Sequence, residues 1–191
     1  MRALGISFSG RRNGNCDRCL SYCLDRLARQ NFATTAVHLY DHSVYPCGKC
    51  GYICFHGSLC PIQDSMAGIV GQCSQADVIL WALPTYRGHL PAAYYAFSER
   101  LEGYVQRGMD IGDIIHRKVQ IILIGNRCAG ADTALTEALS DFADRPFCPE
   151  SILLSSRDYH KKSIQGDMID AEPVRHRLDR FIDNTIVRVN T

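Results

Sequence analysis

The amino-acid sequence predicts an α/β domain with a doubly wound, five-stranded parallel sheet in the order 2-1-3-4-5 and helices on both faces. Short apolar runs alternate with segments of helical periodicity along the whole chain, which is the βα repeat of such a fold. The runs at 77–83 and 118–125 are almost continuously apolar, as strands are when both faces of a sheet are covered. Right-handed crossovers between successive strands complete the predicted topology.

Local patterns place the elements along the chain. The predicted strands lie at 3–8, 34–40, 77–83, 118–125 and 151–155, and the predicted helices at 15–30, 65–72, 91–103, 132–144 and 170–187. The strands are short and rich in apolar and β-branched residues, whereas apolar side chains in the helices recur every three or four positions. Pro91 opens its helix in the first turn, where proline is tolerated. Residues 108–117 are expected to form a connector, in which one helical turn can form.

The composition indicates one domain, spanning 1–191, without a targeting segment. A chain of 191 residues is long enough to bury a core, and 21 basic residues nearly balance 20 acidic ones, so a nucleic-acid partner is not expected. The chain starts directly in a strand rather than in a signal peptide, and its apolar runs are too short to span a bilayer. We therefore expect a cytoplasmic protein with no membrane partner.

The loop after the first predicted strand has the features of a phosphate-binding site. The apolar run stops at Ser9 and a helix begins near Asn15, so backbone N–H groups and the helix dipole point toward one place. Arg11 and Arg12 add positive charge beside it. The loop contains neither G-x-G-x-x-G nor G-x-x-x-x-G-K-[ST], which argues against a dinucleotide fingerprint and a P-loop NTPase. A monophosphate fits these donors better.

Two more polar loops are expected at the same edge of the sheet. One follows the third predicted strand at 84–88, the other follows the fourth strand at 125–130, and both contain glycine. In the predicted strand order, ligands bind outside the carboxyl ends of the strands, at the switch point flanked by strands 1 and 3. We therefore expect the three loops to meet in one nucleotide site.

These residues resemble a known family, the flavodoxin-like, NADPH-dependent FMN reductases, and within it the iron–sulfur flavoprotein group. Residues 9–16, SGRRNGNC, are similar to the phosphate loop S-P-R-x-x-G-N-[ST] of that family. Residues 84–88, PTYRG, followed by AFSER at 96–100, resemble its P-V-Y-F-G…A-F-x-D-R segment. Residues 125–132 resemble the glycine-rich loop beside the flavin ring. The resemblance covers most of the chain.

The resemblance implies FMN as cofactor, NAD(P)H as co-substrate and a set of flavin contacts. The phosphate would be held by Ser9, Arg11, Asn13, Gly14, Asn15 and Cys16. The ribityl chain and the ring would lie against Pro84, Thr85, Tyr86, Arg87 and Gly88. The pyrimidine edge, where donors favour the anionic reduced flavin, would be approached by backbone groups of Gly125, Asn126, Arg127 and Gly130.

Three positions depart from the family pattern. Gly10 stands where proline is usual and loosens the phosphate loop. Cys16 replaces a hydroxyl with a weaker donor. Arg87 replaces an aromatic residue, so packing against the ring is expected to differ. The alternative for Tyr86 and Arg87 is a turn at the helix entry with exposed side chains.

A cysteine-rich loop occupies 41–63. Its four cysteines, spaced C-x2-C-x3-C-x5-C, are Cys47, Cys50, Cys54 and Cys60. Four thiolates in so short a stretch could bind a [4Fe–4S] cluster or a zinc ion, or they could remain reduced thiols in a packed loop. The family resemblance favours the cluster, although one extra residue separates the second and third cysteines. Cys19 and Cys23 on the first helix are expected in the core rather than at a metal.

The sequence therefore predicts an FMN-dependent oxidoreductase that takes a hydride from NAD(P)H. Electrons would pass to a small acceptor such as a quinone, a nitroaromatic compound or a flavin, or to the iron–sulfur cluster. One alternative is an electron carrier with flavin and cluster but no NAD(P)H site, and another is a flavin-free redox or metal sensor. We expect a homodimer or homotetramer by analogy, with a small acceptor or a redox carrier protein as partner. No catalytic side chain is assigned, because the cofactor performs the hydride step.

Overall fold

A computed structural model of the chain describes residues 1–56, 60–105 and 111–190, and its centre is a five-stranded parallel sheet. The strands are β1 (Arg2–Ser7), β2 (Ala33–His38), β3 (Val78–Pro84), β4 (Val119–Ile124) and β5 (Ser151–Leu154). They lie in the order β2-β1-β3-β4-β5, and every neighbouring pair is parallel. The predicted fold class and strand order are confirmed.

Six α-helices connect and cover the strands in the described part of the chain. They are α1 (Asn15–Ala28), α2 (Met66–Gln75), α3 (Ala92–Val105), α4 (Ile111–Lys118), α5 (Ala131–Ser140) and α6 (Glu172–Asn190). The boundaries of the predicted strands and helices differ from these by at most four residues. The largest difference concerns α5, whose regular hydrogen bonding ends at Ser140 and gives way to turns. None of the helices described is both long and apolar enough to cross a membrane.

The predicted connector at 108–117 is wrong where the structure describes it, because α4 is a helix of 8 residues. Residues 108–110 lie outside the described part of the chain. Ile115 is fully buried under the sheet, which gives this helix a tertiary reason to form. Its last turn carries His116, Arg117 and Lys118, whose basic side chains suit the negative end of the helix dipole.

The sheet separates two apolar cores. On one face an aromatic cluster, formed by Phe8, Trp81 and Phe97, is covered by α2, α3, α4 and α5. The three rings meet edge to face, with centroids 5.6–6.0 Å apart. On the other face α1 and α6 pack together and against the sheet, with Leu20 and Leu178 in the shared core. Both faces are thus covered, as the apolar strands predicted.

Four cysteines belong to these cores. They are Cys16, Cys19 and Cys23 on α1 and Cys73 on α2. Burial raises the pKa of Cys19 and of Cys73 to about 12, so both thiols stay protonated near neutral pH. The placement agrees with the expectation that the α1 cysteines act as small core residues.

The aromatic cluster should carry a measurable share of the stability. Because Phe97 is fully buried, Phe97→Ala should lower the free energy of unfolding by about 3–5 kcal/mol. Urea unfolding followed by circular dichroism measures this loss. Ile164→Ala is the control, because Ile164 is 69% exposed and its truncation should change stability by about 0.5 kcal/mol or less. Equal effects of the two substitutions would contradict the assignment of the core.

Candidate functional site

A cavity of about 230 Å³ opens at the carboxyl edge of the sheet, between the loops that follow β1, β3 and β4. All of the predicted cofactor residues line it except Asn13, Gly88, Arg127 and Gly130. The predicted convergence of the three loops is therefore present in the structure. Ser156 and Ser163, which follow β5, also line the cavity, although sequence reasoning did not select them.

Hydrogen bonds to neighbouring side chains fix the shape of the phosphate loop. The Asp17 carboxylate accepts the Ser7 hydroxyl at 2.6 Å and the Asn13 backbone N–H at 2.9 Å. The Ser9 hydroxyl, almost fully buried, accepts the Arg11 N–H at 3.1 Å. Asn13 has a left-handed backbone with φ of 58°, a conformation that asparagine tolerates better than most residues. Asn13 thus shapes the loop, whereas Ser9 and Arg11 face the cavity.

The amino end of α1 supplies the donors of the loop. No side chain caps this end, and Gly14, Asn15 and Cys16 line the cavity. The N–H groups of a first helical turn have no intrahelical acceptors, so they and the dipole favour an anion here. Burial, with smaller contributions from Cys19 and Asp17, raises the pKa of the Cys16 thiol well above its usual value. Cys16 is therefore neutral and adds no negative charge beside an anion.

A segment after β5 closes over the phosphate loop. The Asn15 side chain accepts the Met168 N–H at 3.0 Å and donates to the Ser163 carbonyl at 3.3 Å. Arg18 donates to the Gly166 carbonyl at 2.7 Å. Since the Asn15 amide is committed to this segment, a contact from Asn15 to a bound phosphate would come from its backbone N–H. Gly166 in this segment has a left-handed backbone with φ of 70°, a conformation that glycine adopts without strain.

The opposite wall of the cavity is made by two loops in direct contact. Gly88 and Gly130 both have left-handed backbones, with φ of 81° and 85°. A Cβ on Gly88 would lie 2.4 Å from the Ala129 carbonyl oxygen, and one on Gly125 would lie 2.1 Å from Thr85 Oγ1. Glycine is therefore required for the loops after β3 and β4 to approach each other. Gly88 and Gly130 build this wall without lining the cavity themselves.

Some backbone N–H groups of the loop after β4 already donate hydrogen bonds to carbonyl groups of the protein. The Gly125 N–H donates to Leu154 at 3.0 Å, and the Gly130 N–H donates to Arg127 at 3.0 Å. The Ala129 N–H also donates within the loop, to the Asn126 carbonyl at 2.9 Å, so the donors that remain candidates for a flavin edge are the N–H groups of residues 126–128. The Arg127 side chain is exposed and lies 3.9 Å from Asp132, away from the cavity lining.

Tyr86 and Arg87 lie at the mouth of the cavity. Both line it and both are exposed, so the structure combines the cofactor-lining role with the exposed helix-entry turn. Tyr86 and His89 exchange backbone hydrogen bonds of 2.9 and 3.1 Å, which form a tight turn, and Arg87 within it has φ of 51°. His89 is not among the residues that line the cavity.

A second cavity of about 320 Å³ lies between the cysteine-rich loop and α3. All four cysteines of the predicted metal site, Cys47, Cys50, Cys54 and Cys60, line it. Partial burial and the neighbouring Glu99 carboxylate raise the pKa of the Cys47 thiol, although Arg100 opposes the shift. Within the described ranges, no three His, Cys, Asp or Glu side chains converge as the ligands of a metal ion would.

The chain matches a known protein family over most of its length. The description of the matching family is NADPH-dependent FMN reductase, and the match covers residues 1–159. The chain belongs to this family. Among curated relatives, an iron–sulfur flavoprotein of Methanosarcina thermophila is 34% identical over 100 residues, 52% of each chain. One from Methanocaldococcus jannaschii is 27% identical over 139 residues, which are 72% of this chain and 69% of the relative. The match to the Methanosarcina protein thus spans about half of its length.

Several solved structures with the same architecture are reductases or hold a flavin-related compound, according to their descriptions. RosB with bound 8-demethyl-8-formylriboflavin-5'-phosphate superposes with a TM-score of 0.70 at 15% identity, covering 100% of this chain and 79% of RosB. The azoreductase AzrA gives a TM-score of 0.60 at 10% identity, with 97% and 99% covered. FerB, an NAD(P)H:(acceptor) oxidoreductase of Paracoccus denitrificans, gives 0.57 at 14% identity, with 98% and 99% covered. At these identities the likeness shows the flavodoxin-like fold.

The contact between the two glycine loops can be tested by adding one methyl group. Gly88→Ala should weaken FMN binding by about tenfold, or about 1.4 kcal/mol, because the new Cβ pushes the loops apart. Titration of the apoprotein with FMN, followed by quenching of flavin fluorescence, measures the change. Gly68→Ala is the matched control, since that glycine lies in α2 with open space around its Cβ position. Unchanged affinity in Gly88→Ala would show that the loop contact does not shape the site.

Proposed function

We propose that the chain is an FMN-dependent oxidoreductase that takes electrons from NAD(P)H and passes them to a small acceptor or to an iron–sulfur cluster. The observation that carries this proposal is the cavity where the uncapped end of α1 meets the two interlocked glycine loops. Family membership supports the oxidoreductase and the flavin. The use of NAD(P)H as electron donor and of a small molecule or a cluster as acceptor is part of this proposal. A cytoplasmic location and a homodimer or homotetramer belong to it as well.

The lining residues fit FMN by their chemistry. The phosphate would be bound by the Ser9 hydroxyl, the Arg11 guanidinium and the first N–H groups of α1. Thr85 and Tyr86 would flank the ribityl chain and the ring from one side, and the β4 loop would offer its donors from the other. The chemistry that FMN supplies when bound is the uptake of a hydride and the release of its electrons one or two at a time. The chain contributes binding and orientation, and Arg87 at the mouth places a positive charge where an anionic co-substrate would arrive.

The first test is an absorbance spectrum followed by a turnover assay. Purified protein, loaded with FMN if necessary, should show the bands of oxidised flavin at about 375 and 450 nm. It should also oxidise NADH or NADPH in the presence of a quinone.

Arg11→Gln should weaken FMN binding by about 1.5–3 kcal/mol, the range of a hydrogen bond to a charged group. Arg29→Gln, on the exposed end of α1, should leave it unchanged. Failure to bind added FMN would refute the proposal.

An electron carrier without an NAD(P)H site is the second candidate, and the cysteine-lined cavity favours it. Such a protein would hold flavin and accept electrons from a reduced carrier protein. Its steady-state oxidation of NAD(P)H with a quinone would be negligible, whereas chemical reduction of its flavin would proceed normally. The same turnover assay therefore separates the two candidates.

We further propose that Cys47, Cys50, Cys54 and Cys60 hold a [4Fe–4S] cluster. A single zinc ion with Zn–S bonds of about 2.3 Å needs its four sulfurs about 3.8 Å apart, converging on one point. A cluster of four irons has its ligands distributed around a larger body, which agrees better with four cysteines that line a cavity.

Iron and acid-labile sulfide assays on protein prepared without air test the cluster. We expect about four of each per chain. Replacement of all four cysteines by serine should abolish iron binding, while the flavin spectrum should stay. The double variant Cys128→Ser and Cys148→Ser is the control, because both of these cysteines are exposed and outside the cavity. Flavin without iron in the unchanged protein would reduce the cysteine loop to a structural or thiol role.

A further inference from the structure

Arg100 on α3 is a charged side chain buried at the base of the cysteine-rich loop. It is only 3% exposed, and it forms a two-pronged ion pair with Asp64 at 2.7 and 3.2 Å. Arg100 also donates to the Tyr45 carbonyl at 3.0 Å. Asp64 in turn accepts the backbone N–H groups of Tyr45 and Met66, each at 3.0 Å. The pair therefore binds the start of the cysteine-rich loop to its end and both to α3.

Stability alone does not account for this arrangement. A buried ion pair loses about as much in desolvation as it gains in attraction, so it is weak evidence for a stabilising role. In addition, the Arg100 Nε atom is buried and has no hydrogen-bond partner among the residues described. Buried donors are nearly always paired in native proteins, so an unpaired one indicates a missing partner. Arg100 also lines the cavity that the four cysteines surround.

The charge around this cavity indicates what the partner is. Glu99 and Glu102 line it beside the four cysteines, and four thiolates would add further negative charge. Of the residues that line the cavity, Arg100 alone carries a positive charge. An anionic group held by the cysteines would therefore meet this guanidinium as its nearest fixed compensation.

We propose that Arg100 positions the cysteine-rich loop and compensates negative charge in the cysteine cavity. Through Asp64 it holds both ends of the loop, and it offers its free Nε–H and its positive charge to a [4Fe–4S] cluster. This inference rests on the proposed cluster site. A fixed positive charge stabilises a more negative, reduced cluster over an oxidised one, so Arg100 raises the reduction potential. The loop clamp keeps the four cysteines together before the cluster is assembled.

Two variants separate the clamp from the charge. Arg100→Lys keeps the charge but loses the planar fork that binds Asp64 and Tyr45. The double variant Asp64→Asn and Arg100→Gln removes both charges and keeps a neutral hydrogen-bonded pair, so no buried charge is left unpaired. Arg26→Gln is the control for loss of an ion pair away from the cysteines, because Arg26 pairs with Asp179 at 3.0 Å between α1 and α6, where both side chains are more exposed than Arg100 and Asp64.

The measurements are iron and sulfide content, the rate of iron loss to a chelator, and the reduction potential, with flavin content from the same samples. Changes next to metal ligands typically cost about 10–100-fold in metal affinity. We expect about tenfold faster iron loss from Arg100→Lys. The double variant should hold a cluster with a more negative potential than the unchanged protein. Of the two charges removed, that of Arg100 lines the cavity and that of Asp64 does not. Arg26→Gln should match the unchanged protein in every measurement.

Two results would overturn the inference. One is a double variant whose potential and iron retention equal those of the unchanged protein. The other is an unchanged protein that binds flavin and oxidises NAD(P)H but takes up no iron and sulfide, which refutes the cluster and leaves the oxidoreductase intact. Conversely, Arg100-dependent iron binding in a protein without flavin would refute the oxidoreductase and support this inference. Near-ultraviolet circular dichroism verifies that each variant is folded.

Discussion

The cofactor cavity depends on a carboxylate that does not line it. Asp17 accepts the Ser7 hydroxyl and the Asn13 N–H, and in doing so it fixes the phosphate loop from the protein side. Its position in the first turn of α1 is one where a negative charge is favourable. Behind it, the buried His38 ring lies 3.4 Å from Asp17 and 3.8 Å from Asp41, without a hydrogen bond from either ring nitrogen among the residues described. Because these contacts fix the loop, the first N–H groups of α1 remain for a ligand. The Ser9 hydroxyl accepts the Arg11 N–H at 3.1 Å and donates to the Arg11 carbonyl at 3.4 Å, so it would have to turn its proton toward a bound anion.

The parallel sheet then determines which loops can cooperate with that one. Loops after β1, β3 and β4 meet because their strands are neighbours and all end at the same edge. The close approach of the loops after β3 and β4 also requires glycine, since any side chain at Gly88 or Gly125 would hold these loops apart. The same fold places the cysteine-rich loop on α3, where Arg100 anchors it. Two distinct cavities thus result from one arrangement of strands.

Periodicity and spacing predicted what is local in this chain. The strand order follows from the alternation of elements, and Ser9 and Thr85 were found because each directly follows a strand. The role of Ser163 depends on a hydrogen bond to Asn15 that spans 148 residues, which no local pattern reveals. The helix α4 was missed for a related reason, since burial of Ile115 under the sheet stabilises a short segment that contains glycine. Position on a helix, by contrast, did separate the core cysteines Cys19 and Cys23 from the four cysteines of the loop, which line a cavity.

The segment that closes over the phosphate loop also imposes an order on folding. A contact between the Asn15 side chain and Met168 requires nearly the whole chain to be made and the last strand to be in place. The phosphate loop and α1 can form early, because their contacts are close in sequence. Closing the loop between positions so far apart has a large entropic cost, which only docked tertiary structure offsets. The site is therefore completed last, and a nascent or truncated chain that holds the correct sheet still lacks the wall that would retain a nucleotide.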